Sequence, residues 1–241
     1  MRSKTGLNLT RHYSINFSVP KRHKELIKFI IIHYTGMKNQ NRAIEKLCNI
    51  KSKVSCHYFI KNKGEVLNMV PDQYIAWHAG QSSWKNLRFL NKYSIGVEIN
   101  NPGHQYNYKK FSMKQIFSLI KLLKFLKKKY KIKKHNILGH SDISPDRKKD
   151  PGENFPWRKL AKKNLCIWHN FSEKKLKKYR NQKLKTSEEK IFYKNLSKIG
   201  YPKILKNKKI LLVKAFQRRF RQNLINGKID KECLEISQSL L

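Results

Sequence analysis

The stretch "KFIIIHY" at residues 28–34 sets Phe29, Ile30, Ile31 and Ile32 in an unbroken row. So short an apolar run, rich in β-branched side chains and without polar alternation, reads as a buried strand. Such a strand needs a sheet with other elements packed on it, and the neighbouring segments supply them. Residues 40–50 place Ala43, Ile44, Leu47 and Ile50 at helical spacing. "SCHYFIKNKGEVLNMV" reads as two strands around a Lys63-Gly64 turn, and "YSIGVEIN" as another with Ile95, Val97 and Ile99 on one face. A helix is predicted from Ser112 to about Tyr130, opened by a Ser112/Gln115 capping box and striped by Ile116, Leu119, Ile120, Leu123 and Leu126. "NILGH" is a further short strand. This order predicts an α/β fold, a mixed β-sheet flanked by helices, in one domain over residues 1–169.

Residues 170–185 are nearly all Lys, Arg, Glu and Asn and read as a charged linker. Beyond them, residues 186–241 carry three short helical patterns, a small C-terminal three-helix domain, with Asp230 capping the last helix after the Gly227-Lys228 turn. A chain of 241 residues is long enough for one substantial core and such an addition. With 39% hydrophobic and 11% aromatic residues, general disorder is excluded. The net charge of +40 predicts attraction to polyanions, anionic wall polymers among them, although Lys, Ile and Asn usage of the kind A/T-rich coding produces accounts for part of it. No recognition helix or RNA-binding aromatic motif is visible, so no specific nucleic-acid partner is expected. No apolar run approaches the roughly 20 residues of a membrane helix. The first twenty residues lack a signal-peptide core, which predicts a chain cytoplasmic as synthesised and leaves non-classical export as the one route open to the periplasm or wall. Cys48, Cys56, Cys166 and Cys233 show neither paired nor metal-type spacing and are expected to be reduced, mostly buried thiols.

Acids are scarce, 15 against 55 Lys plus Arg, yet Asp142, Asp146, Asp150 and Glu153 crowd into "GHSDISPDRKKDPGENFPW" (139–157). His33 and His140 each end a predicted strand, and Asp150 follows in a Pro-stiffened loop. Two imidazoles and a carboxylate make a three-ligand zinc set that leaves a fourth position for water, the arrangement of a catalytic site. No HExxH helix fixes their geometry, so three independently satisfied residues remain the alternative at this level. Glu98 alternates with apolar neighbours on an otherwise buried strand, which suits a general base or a structural ion pair. Lys148 could stabilise an oxyanion, or be one solvated charge among many. His57 and His78 add imidazoles, and Trp77 and Trp84 could form a stacking wall or simply pack.

Together "IIIHYT", "VSCHYFI", "AWHAG", "SIGVEIN" and the 139–157 block resemble, in order and spacing, the zinc-dependent N-acetylmuramoyl-L-alanine amidases of the amidase-2 and peptidoglycan-recognition superfamily, over about residues 28–160. "VKAFQRRFRQNLINGKIDKECLEI" looks like a peptidoglycan-binding module, so the pair is similar to the two-module AmiD type. The resemblance implies one zinc ion bound by His33, His140 and Asp150, Glu98 as general base, and Lys148 assisting the oxyanion. It also implies hydrolysis of the bond between N-acetylmuramic acid and L-alanine in peptidoglycan or muropeptides, and His57, Trp77 and His78 are read beside it as the candidate substrate-binding residues. A non-catalytic muropeptide-binding protein is the alternative. The block departs from the family at Asp146, where Gly is usual, and at Glu153-Asn154; the absence of a signal peptide is a further departure.

Overall fold

The computed structural model describes residues 9–241; residues 1–8, and with them the start of the predicted domain and of the leader-free reading, lie outside the described residues. In chain order the strands are β1 (Leu9–Arg11), β2 (Phe17–Ser18), β3 (Phe29–Tyr34), β4 (Tyr58–Ile60), β5 (Val66–Asn68), β6 (Ile75–Ala76), β7 (Ser83–Trp84), β8 (Leu87–Arg88), β9 (Ser94–Ile99) and β10 (Ile137–Gly139). The helices are α1 (Gln40–Cys48), α2 (Met113–Lys129), α3 (His140–Ile143), α4 (Trp157–Ala161), α5 (Glu173–Tyr179), α6 (Thr186–Ile199), α7 (Lys209–Phe220) and α8 (Lys231–Ser239).

Six strands form a mixed sheet in the order β1-β5-β4-β9-β3-β10. The pairs β4–β9, β9–β3 and β3–β10 are parallel, and β4–β5 is the antiparallel hairpin whose turn holds Gly64 at φ +87°. The sheet is sorted by side-chain parity. Ile30, Ile32, Ile95, Val97, Ile99 and Ile137 face one side and meet the stripe of α2, where Leu122 joins the predicted Ile116, Leu119, Leu123 and Leu126 and Ile120 is only partly buried. The capping box at Ser112 and Gln115 is present in both directions.

The opposite face is covered in two patches. α1 packs Ala43, Ile44 and Leu47 against Phe59, Leu67 and Met69. Ile50 falls outside this helix, because Asn49 ends it and caps a following 3-10 turn. At the β3–β10 end, Phe29, Ile31 and Leu138 share one apolar cluster with Phe192, Leu196, Leu212, Phe216 and Ile236 of the C-terminal helices. Polar ties reinforce this contact. Buried Asp142 accepts from Arg219 and from Tyr201 Oη (2.9 Å), and Arg219 Nη2 donates to Ile137 O (3.1 Å). Within 170–185 lies α5, and Arg180 just beyond it makes two 2.7 Å bonds to buried Glu232. Between the two patches the carboxyl ends of β3, β9 and β10 are left open, the usual place for a ligand in an open α/β sheet. All four cysteines are free thiols, three of them buried. Among the described residues no helix is long and apolar enough to cross a membrane.

Candidate active site

Strand register brings the site together. β3 and β9 pair His33 with Glu98, and β10 ends beside Ile32, so that His140 follows one step from His33. His140 opens α3 rather than ending the strand, because Asp142 Oδ2 accepts the Gly139 N–H (2.7 Å) and starts a helical turn there. Asp150 returns on the loop, held by Ser141 N–H donating to its carbonyl (2.9 Å). The outcome is three buried donor atoms in a triangle: His33 Nδ1 to His140 Nδ1 3.0 Å, His33 Nδ1 to Asp150 Oδ2 3.0 Å, and His140 Nδ1 to Asp150 Oδ2 3.1 Å.

The outer ring nitrogens decide what those three atoms are. His140 Nε2–H donates to Ala79 O (3.3 Å). His33 Nε2–H donates to His78 Nδ1 (3.1 Å), His78 Nε2–H to Ser94 Oγ (3.3 Å), and Ser94 Oγ–H to Leu90 O (2.5 Å). Each imidazole spends its single proton outward, so both Nδ1 atoms present bare lone pairs to a carboxylate oxygen. Three acceptors 3 Å apart with no proton between them call for a cation. Ligands about 2.0–2.1 Å from a tetrahedral zinc lie roughly 3.3 Å from one another, so the residues fit that ion. The relay needs a glycine at Gly96, where a Cβ would come within 2.4 Å of the His78 ring.

The electrostatics agree. Burial, with the neighbouring His140, lowers the His33 pKa to about 4. Burial alone would raise Asp150; positive charge on its His140 and His33 neighbours would hold it well below the carboxylate range, and with both imidazoles neutral that charge is left for a bound cation to supply. Neutral imidazoles and an ionised carboxylate are the protonation states in which these groups ligate a metal.

Glu98 stands beside the triangle. Its Oε2 is buried without a hydrogen-bond partner among the described residues, and burial, reinforced by the charge of Asp150, pushes its pKa up to about 8. Glu98, half-buried Lys148, Trp77 and His78 all line one cavity of about 490 Å³ with the three donors, walled on one side by Ala43, Lys46 and Leu47 of α1. The Trp77 indole is fixed by donating to Ser18 Oγ (2.8 Å).

His57 is not in the cavity wall. It is fully buried behind His78, accepting Gly96 N–H at Nδ1 (2.9 Å) and donating from Nε2 to Tyr74 O (3.1 Å), so it ties β4 to β9. Trp84 likewise packs inward, against Tyr201 and the C-terminal helices. Sequence reasoning passed over Ser94, which anchors the relay, and His104, which lines the cavity between Tyr34 Oη (2.7 Å) and Glu153 (3.0 Å). The "NPGH" loop beside a predicted strand end was the available signal for His104.

A sequence model of the N-acetylmuramoyl-L-alanine amidase family matches residues 22–153. The N-acetylmuramoyl-L-alanine amidase AmiD of Escherichia coli is 32% identical over 231 residues, covering 89% of this chain and 82% of its own. The 1,6-anhydro-N-acetylmuramyl-L-alanine amidase AmpD of Haemophilus influenzae is 39% identical over 108 residues, 44% of this chain and 56% of its own. The structure of E. coli AmiD with the substrate anhydro-N-acetylmuramic acid-L-Ala-D-gamma-Glu-L-Lys superposes with a TM-score of 0.79 at 31% identity, over 93% of this chain and 91% of that one. AmpDh3 of Pseudomonas aeruginosa in complex with anhydromuramic pentapeptide superposes at 0.77 and 25% identity, over 92% and 93%.

Proposed function

The chain belongs to the amidase-2 family of N-acetylmuramoyl-L-alanine amidases and acts on muropeptides, and from that premise we propose that its metal is zinc, held by His33, His140 and Asp150. The observation that carries this reading is the triangle of proton-free donors, with the unpartnered Glu98 Oε2 beside it. When bound, zinc supplies a Lewis acid for the scissile carbonyl and lowers the pKa of water toward ~7.

The chain's own residues do the rest. Glu98 takes a proton from the attacking water at its free Oε2, a transfer suited by a pKa near operating pH. It then returns that proton to the departing amine of L-alanine as the carbon–nitrogen bond breaks. The Lys148 ammonium, in the same cavity wall, offsets negative charge on the carbonyl oxygen. Trp77, held by Ser18, gives a flat apolar surface for the muramic acid ring or the stem. His78 orients His33 through the relay instead of touching substrate, and His57 supports His78 from behind.

We read residues 1–169 as the catalytic domain, 170–185 as the connection and 186–241 as a peptidoglycan-binding-like module. The "AFQ" and "GKID" elements within α7 and before α8 support that reading. The test is Glu98→Gln, which keeps the side-chain shape and removes the base. Turnover of a muropeptide should fall by about 10²–10⁴ with zinc content unchanged. Wild-type turnover in a zinc-loaded Glu98→Gln protein would exclude Glu98 as the base.

A further inference from the structure

The cavity lined by His33, His140 and Asp150 continues into a second one, of about 440 Å³, between the 145–153 loop and α7. The two share His104, Arg147, Lys148 and Lys149 in their walls. Five cationic side chains line the second cavity against two carboxylates, and both acids already have partners: Asp146 with Lys208 (3.1 Å) and Glu153 with His104 (3.0 Å).

Arg218 stands out in this wall. It is only 7% exposed, yet its guanidinium makes no hydrogen bond among the described residues, and Nε is fully enclosed and unpartnered. Its one ion-pair contact is Glu153 Oε2 at 3.7 Å, beyond hydrogen-bonding range. The adjacent buried arginines differ at their outer nitrogens, although Arg219 Nε is likewise enclosed and unpartnered. Arg219 bonds to Asp142 and Ile137 O, and Arg221 bonds to Asp230 and Asn226. An enclosed side chain whose guanidinium donates to no protein group is completed when an acceptor reaches its Nη end in the cavity, and the acceptor that matches its fork is a carboxylate.

We propose that Arg218, with Lys214 and Lys149 at the cavity rim, forms a carboxylate-binding subsite for the peptide stem of the substrate, so that α7 of the C-terminal helices is a wall of the active-site cleft. The proposal rests on the amidase reading above. In a stem of the type L-Ala-D-γ-Glu, linkage through the γ-carboxyl leaves the α-carboxylate of the glutamate free. That group lies one residue beyond the scissile amide, on the order of 4–7 Å along the chain, which suits a cavity that begins at Lys148 and Lys149. Leu211 and Ile225 in the same wall keep the surroundings apolar, which strengthens a charge-assisted contact there.

The test compares two muropeptides that differ only at the glutamate α-position, carboxylate against carboxamide, using the zinc-loaded full chain and its Arg218→Gln and Lys214→Gln variants. Wild type should favour the carboxylate in kcat/KM by about tenfold or more, chiefly through KM, as expected for a hydrogen-bonded charge. Arg218→Gln should abolish the preference by losing activity on the carboxylate substrate more than on the carboxamide, and partly exposed Lys214→Gln should reduce it without endangering the fold. Equal cleavage of both substrates by wild type would overturn the subsite and leave the amidase reading standing. Equal loss on both substrates in both variants would make these residues structural and also overturn it. A preference that follows the carboxylate at the stem's C-terminus, in a matched pair amidated there, would overturn the glutamate assignment. Cleavage of neither substrate by wild type would sink the amidase reading itself.

Discussion

The buried pair Asp142–Arg219 joins the C-terminal helices to the layer that carries His33 and His140, and replacing one partner has a predictable cost. Asp142 is 1% exposed and Arg219 2%. The carboxylate accepts from Arg219, Tyr201 and the Gly139 N–H, while the guanidinium also lies 4.0 Å over the Trp157 ring. In Arg219→Met the carboxylate keeps two neutral donors and loses its counter-charge, and Ile137 O loses a donor. Breaking a buried pair in this way costs about 3–5 kcal/mol. With a urea m-value of about 3 kcal/mol/M, the unfolding midpoint should fall by roughly 1–1.7 M. Asp142→Asn should cost a similar amount, for it leaves the guanidinium buried without its counter-charge. The double variant removes both charges together, so its loss should be smaller than the sum of the singles, with a coupling of about 2 kcal/mol. Urea unfolding followed by far-UV circular dichroism and tryptophan fluorescence reads all three. Single losses under about 1 kcal/mol that simply add would refute the claim that this pair welds the two layers.

Further outcomes follow from the site. His78→Phe keeps the ring shape but strands the His33 Nε2 proton, so zinc affinity measured by chelator competition should fall 10–100-fold, with partial recovery in His78→Gln; a change under threefold would show the relay to be incidental. In the metal-free protein, acidification from pH 7 to 5.5 should destabilise the fold. His33 (pKa about 4), His57 (about 3) and His78 (well below 6.5) remain neutral when folded but take up protons when unfolded, losing about 1 kcal/mol each over that window, with the loss continuing until the folded values are reached. Glu98 acts in the opposite sense. Its raised folded value of about 8 gives back about 2 kcal/mol over the same window, so the net fall is about 1–2 kcal/mol and should be steeper in Glu98→Gln. Stability that rises on acidification over this window would contradict the neutral histidines.

Legibility in the sequence followed the physics of each element. The run Phe29–Ile32, the Ser112 capping box and the parity of Ile95, Val97 and Ile99 are local patterns, and each became the element it predicted. Parity also placed Glu98 on the face opposite α2, since it alternates with those residues. What was not legible depends on distant partners. β1 (Leu9–Arg11) has no apolar run and exists because β5 offers it an edge. His57 shares the Glu98 face, but no local pattern says that His78 will cover it, since that cover depends on a glycine at position 96 on another strand. The convergence of Asp150 on His33, across 117 positions, is set by strand order and a loop rather than by spacing. Arg218 was invisible for a different reason: in a chain with 55 cationic residues, only burial marks one of them as unusual.

The most direct test of the account is mass spectrometry of purified muropeptides incubated with the protein as purified, after removal of metal by a chelator, and after zinc is restored. The account predicts free stem peptides beginning with L-alanine, lost on chelation and recovered with zinc. Intact muropeptides in the presence of folded, zinc-loaded protein would contradict it.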